Sequence, residues 1–169
     1  MKRLPALVVA AAVVALPLTL SVGAAPASAG ERTCRGTLGA VTVDDIRVPS
    51  GATCKLNKTK VKGNIKVYKG ARLEARSVRV DGNIQAERHH SVLVLSSVVK
   101  GNIQLKQGGI ASVHSNTVDG DIQLFSNRGR QHLNSNRVDG NLQCKSNSPA
   151  PTGKGNRVEG NKEDQCRRL

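Results

Sequence analysis

The sequence predicts an all-β fold, a right-handed parallel β-helix solenoid of three sides and about six coils of 19–20 residues. Three observations predict it. A hexapeptide recurs with its glycines 19 or 20 residues apart. Aliphatic residues alternate at period two within each copy, the mark of half-buried strands. The chain of 169 residues carries one Tyr, one Phe and no Trp, so stacked aliphatics must fill its core.

The elements follow in chain order. Met1-Lys2-Arg3 is a short basic start, Leu4 to Ala25 is almost wholly apolar, and Ala27-Ser28-Ala29 is a small-x-small site. Residues 1–29 therefore read as a secretory signal peptide cleaved after Ala29. No later stretch is apolar enough to span a membrane. The expected product is one secreted domain, 30–169, extracellular or held at the cell surface. Four cysteines in an exported chain read as disulfides. Cys34 and Cys54 lie 20 residues apart, Cys144 and Cys166 lie 22 apart, and each interval is about one coil. Adjacent coils bring Cα atoms within bridging range, which predicts Cys34–Cys54 and Cys144–Cys166. Residues 34–54 form the N-terminal cap or first coil and 144–169 the C-terminal cap. Within the latter, Ser146 to Gly155 is turn-rich and reads as a loop.

The repeat begins weakly at Thr42–Ile46. It is explicit at Val61–Lys66, Val80–Gln85, Val99–Gln104, Val118–Gln123 and Val138–Gln143, and degenerate at Val158–Glu163. Self-similarity at this period means a solenoid. Pairs such as Ile65/Val67, Leu73/Ala75 and Val78/Val80 mark three strands per coil. Stacking places each aliphatic over its counterpart at about 4.8 Å. Leucine-rich and helical repeats lack their patterns here. Handedness follows the usual hand of parallel crossovers. At the Gly-Asn corner, glycine is expected to supply positive φ and asparagine to tolerate the left-handed region. Asn64, Asn83, Asn102, Asn141 and Asn161 should stack, with Asn116, Asn136 and Asn156 as a second ladder.

The Val-x-Gly-Asn-Ile repeat over residues 42–161 resembles the bactofilins, bacterial polymer-forming proteins with a right-handed β-helix core. The resemblance implies the fold. Bactofilins are cytoplasmic and assemble end to end without nucleotide, whereas this chain carries a signal segment and cysteine-stapled ends. It also looks like exported bacterial β-helix proteins of unassigned role.

Once Lys2 and Arg3 leave with the signal, 24 cations face 12 carboxylates, a net charge of +12. Such a charge suits anionic cell-wall or capsule polymers. Self-association is a further expectation. With no base-reading element and almost no aromatics, nucleic acid is a poor partner. The candidate contacts are Lys58, Lys60, Lys62 and Lys66, and the outward column Gln85, Gln104, Gln123 and Gln143. Leu93 and Leu95, with Val98, form an outward apolar patch. The rival reading is a small carbohydrate-active β-helix enzyme of lyase or hydrolase type. Its acids would be Asp119, Asp121, Asp139 and Glu159, which could also bind Ca²⁺. Cross-coil ion pairs with Arg137 and Arg157 account for them more simply. His89-His90 is expected at an exposed turn, and His114 and His132 do not share a column. No phosphate loop, dinucleotide fingerprint or serine elbow occurs, so no cofactor or catalytic residue is expected.

Overall fold

Among the described residues, twenty-two strands, none longer than five residues, wind into stacked three-sided turns. The structure is a computed structural model and describes residues 30–169; the expected signal segment lies outside the described residues. Eight strands form sheet A, and seven each form sheets B and C. Every pairing is parallel, and each strand pairs with its equivalent one turn away. There are seven turns plus a closing strand, one more than the repeat suggests. The additional turn is the first, Glu31–Val43, where Glu31 pairs with Asp45 after only 14 residues. It is too short and polar to display the period.

Five aliphatic columns fill the interior. Ile46, Ile65, Ile84, Ile103, Ile122 and Leu142 form one, each wholly buried. Val61, Val80, Val99, Val118 and Val138 form another on sheet C, beneath Val43. Parallel in-register stacking demands like residues at like positions, and branched aliphatics fit that demand without aromatics. The ends are stapled by Cys34–Cys54 and Cys144–Cys166. Lys162 ends the isoleucine column and donates its ammonium to the carbonyls of Asn156 and Leu169.

The corners explain the repeat. At the corner from sheet C to sheet A, the N–H of each residue bonds the side-chain oxygen one turn earlier. Asn83 bonds Asn64 at 3.0 Å, Asn102 bonds Asn83 at 2.8 Å, and Asp121 bonds Asn102 at 2.7 Å. The expected role of its glycines is corrected here, because none of them has positive φ. A Cβ on Gly101 would lie 2.5 Å from Asn83 Oδ1 and 2.7 Å from Gly82 O. Close approach of successive turns is what excludes a side chain. Positive φ occurs instead at the other two corners, at Ser77, Ser96, Ser115 and Ser135 and at Arg88, Gln107, Ser126 and Ser146.

The expected ladder of Asn116, Asn136 and Asn156 fills the B-to-C corner, each amide donating to a core-strand carbonyl. A third ladder occupies the A-to-B corner. Asn127 and Asn147 are buried there, and the N–H of Asn147 donates to Gln165 at 2.8 Å. The 146–155 segment is therefore not merely a loop. Asn147 extends this ladder, and Thr152–Lys154 pairs with His132–Asn134. The missed signal was the dipeptide Ser-Asn at 126–127 and 146–147, the same pair that marks the other ladder.

Candidate functional site

The outer faces carry whatever the core does not need. On sheet C, Asp44, Lys62, Asp81, Lys100, Asp119, Asp139 and Glu159 stand in one column, by register with the valines beside them. Opposite charges that alternate along it pair directly, Lys62 with Asp44 at 3.1 Å and Lys100 with Asp81 at 3.0 Å. The Lys100 hydrogen bond, more than any other cause, lowers the Asp81 carboxyl below its usual range. Arg137 bridges Asp139, at 3.5 Å, and Glu159. Asp121 does not join this column. It replaces asparagine in the corner ladder, accepting the Asn141 N–H at 2.7 Å. Among the described residues, no group of three or more His, Cys, Asp or Glu could hold a metal ion.

The glutamine column runs along sheet A in register. Its amides all donate in one direction: Gln85 to Gln104 (3.4 Å), Gln104 to Gln123 (2.9 Å), Gln123 to Gln143 (2.8 Å) and Gln143 to Glu163 (3.0 Å). The four singled-out lysines do not share a face. Lys58 sits at the B-to-C corner, Lys60 and Lys62 on sheet C, and Lys66 on sheet A, where it pairs with Glu31 at 3.4 Å. Leu93 and Leu95 are half-buried, flanked in register by Glu74 and Ser112 and by Arg76 and His114. The exposed large apolar side chains are Val41, Tyr68 and Ile110 instead.

The carboxylates are segregated around the axis. All but three stand on sheet C, at its corner with sheet A, or on the sheet A face beside that corner. Asp164 ends the closing strand Lys162–Asp164, and only Glu74 and Glu87 lie on the far side. The A-to-B edge is correspondingly basic. Turn three contributes Lys69 and Arg72, turn four Arg88, turn five Lys106, turn six Arg128 and Arg130, and turn seven Lys145. All seven are exposed, and among the described residues only Arg88 makes an ion pair, with Glu87 at 3.7 Å. At about 4.8 Å per turn the row extends about 20 Å.

The histidines are distributed differently from expectation. His89 is not at an exposed turn. It is 3 % exposed inside the A-to-B corner, and neither ring nitrogen has a hydrogen-bond partner. Burial pushes its pKa down to about 4. The ring fits because the next turn carries Gly108, whose Cβ would fall 2.0 Å from the imidazole. His114 bonds Asn134 at 3.1 Å on sheet B; partial burial, then nearby His132, lowers its pKa.

Three shallow grooves of 270 to 350 Å³ open on the surface of the described residues. No helix among the described residues is long and apolar enough to cross a membrane. The fold and this surface define a class, a disulfide-stapled parallel β-solenoid with one basic edge. Searches with the sequence and the structure matched no family model, no curated protein and no solved structure.

Proposed function

We propose that the protein is an exported, non-enzymatic β-helix that binds an extended anionic polymer of the cell wall or capsule along its A-to-B edge. The observation that carries this reading is the segregation of charge. Carboxylates neutralise sheet C and its A-side corner, while the opposite edge presents a cation at every turn from the third to the seventh. A linear polyanion lying parallel to the axis would meet a regular row of cations, all but one of them unpaired. The two disulfides fit an oxidising compartment. Kinship with the bactofilins belongs to the same proposal, supported by the parallel three-sided solenoid. Stapled ends and a lysine closing the isoleucine column favour a free-standing binder over an end-to-end polymer. The carbohydrate-active enzyme is the weaker reading, since Arg137 bridges two of its acids and Asp121 serves the corner ladder.

The test is retention of the disulfide-bonded protein on anionic wall polymer across a salt series. Retention should fall steeply as the screening length drops from about 30 Å at 0.01 M to about 3 Å at 1 M. Replacing Arg88, Lys106, Arg128 and Lys145 together by Gln should abolish it. The same change at Lys58, Lys60, Lys62 and Lys66 should weaken it far less. Retention indifferent to salt, or to the first quartet, overturns the proposal.

A further inference from the structure

Both aromatic side chains of the protein lie outside the core, and they share one column. Phe125 stands outward on sheet A and Tyr68 directly follows the sheet A strand Ile65–Val67 three turns away, with Glu87 and Lys106 at the equivalent positions of the turns between them. Neither helps fill the interior, where aliphatics stack. Tyr68 is 38 % exposed. Arg47, from the preceding turn, covers its ring at 5.0 Å to the centroid. The following turns leave a groove of about 270 Å³ against Tyr68, with Gln85, Gln104, Glu87, Lys66 and Lys106 around it. That volume is just under the ≈ 300–1,000 Å³ typical of small-molecule sites, so it holds little more than one ring.

The groove also has unused hydrogen-bonding capacity. Gln85 heads the amide ladder, so its carbonyl accepts no side-chain bond among the described residues. Its own donation to Gln104, at 3.4 Å, is the longest in the ladder. Glu87 is the one carboxylate on the basic edge, and it faces this groove. On a track for phosphodiesters a carboxylate only repels. Beside hydroxyl groups it is an acceptor. A flat apolar ring, two amides, one carboxylate and two flanking ammonium groups together match a pyranose that carries its own acid group.

We propose that this groove is the subsite for one sugar ring of an acidic polysaccharide, a uronic-acid-type unit. The C–H face of the sugar would lie on Tyr68, its hydroxyls on Gln85, Gln104 and Glu87, and its carboxylate on Lys106, since Lys66 is already paired with Glu31. This rests on the polyanion reading above and narrows it, making the polymer a glycan and not a polyphosphate.

Calorimetric titration with three probes tests it: an oligogalacturonate, a neutral oligosaccharide of equal length, and an inorganic polyphosphate of equal charge. The oligogalacturonate should bind about tenfold more tightly than the polyphosphate, the effect of one ring stacked at roughly 1.4 kcal/mol. Tyr68→Ala and Gln85→Ala should each remove that preference, leave polyphosphate binding unchanged and leave the melting temperature unchanged. Equal affinity for both anions, undisturbed by Tyr68→Ala, overturns the subsite while the basic edge stands. Equal affinity for the neutral sugar and the oligogalacturonate overturns the acidic-sugar assignment. Binding of none of the three overturns the subsite and the polyanion reading together.

Discussion

Two corners of the same solenoid are built under different constraints, and their residues differ accordingly. The C-to-A corner repeats Gly-Asn or Gly-Asp from turn to turn. The A-to-B corner runs Gly70, His89, Gly108, Asn127, Asn147 at its inward position, and its outward residues supply the basic edge. At the first corner every turn touches the next through backbone, so one solution is repeated. At the second, side chains occupy the gap, and different sizes can be traded between turns. Strict repetition therefore marks where the coil is closed, and variation marks where the surface is free to acquire chemistry.

The comparison breaks most sharply at the glycines. Gly101→Ala would place Cβ 2.7 Å from a carbonyl oxygen of the adjacent turn, and that backbone cannot retreat without breaking the ladder. A loss of more than about 3 kcal/mol in urea unfolding is expected, above the usual range for overpacking. Gly51 has φ +71, and a Cβ placed on it would meet nothing within 4 Å, so only its backbone conformation favours glycine. Gly51→Ala should cost about 1 kcal/mol. Equal losses at the two sites would remove the distinction between close approach and conformation.

A second effect sharpens the A-to-B corner. His89 has a folded pKa of about 4 against 6.5 for the free side chain. Between those values the unfolded chain binds the additional proton. The His89 contribution to stability should be constant above pH 6.5 and fall by about 3 kcal/mol as pH drops toward 4. His89→Leu should flatten that slope in urea midpoints measured from pH 4 to 7. An unchanged slope would mean the ring is not the group responsible. The smallest effect belongs to the open face. Gln104→Lys should change stability by less than about 0.5 kcal/mol, since its partners are side-chain amides on the outer surface.

Much of this was legible in the residues. The period, the three sides and both disulfides follow from spacing, because each bridge spans one turn. The glutamine column and the first two asparagine ladders follow from the same register. The third ladder was legible in Ser126-Asn127 and Ser146-Asn147, and the aromatic column in the separation of Tyr68 and Phe125 by three 19-residue periods. Other features could not be read that way. Whether Gly101 serves φ or clearance depends on the distance between turns. His89 looks like a surface histidine until Gly108 is stacked beside it. The four lysines look like one cluster until the corners distribute them over two faces and a corner.

By itself the sequence determined the stacking of like on like, since a parallel register imposes its period on every inward column. Only the tertiary structure decided how charges are distributed around the axis. Residues adjacent in sequence diverge at a corner, while residues 19 or 20 apart converge along an edge. The segregation of carboxylates from the basic edge exists only once the turns are wound.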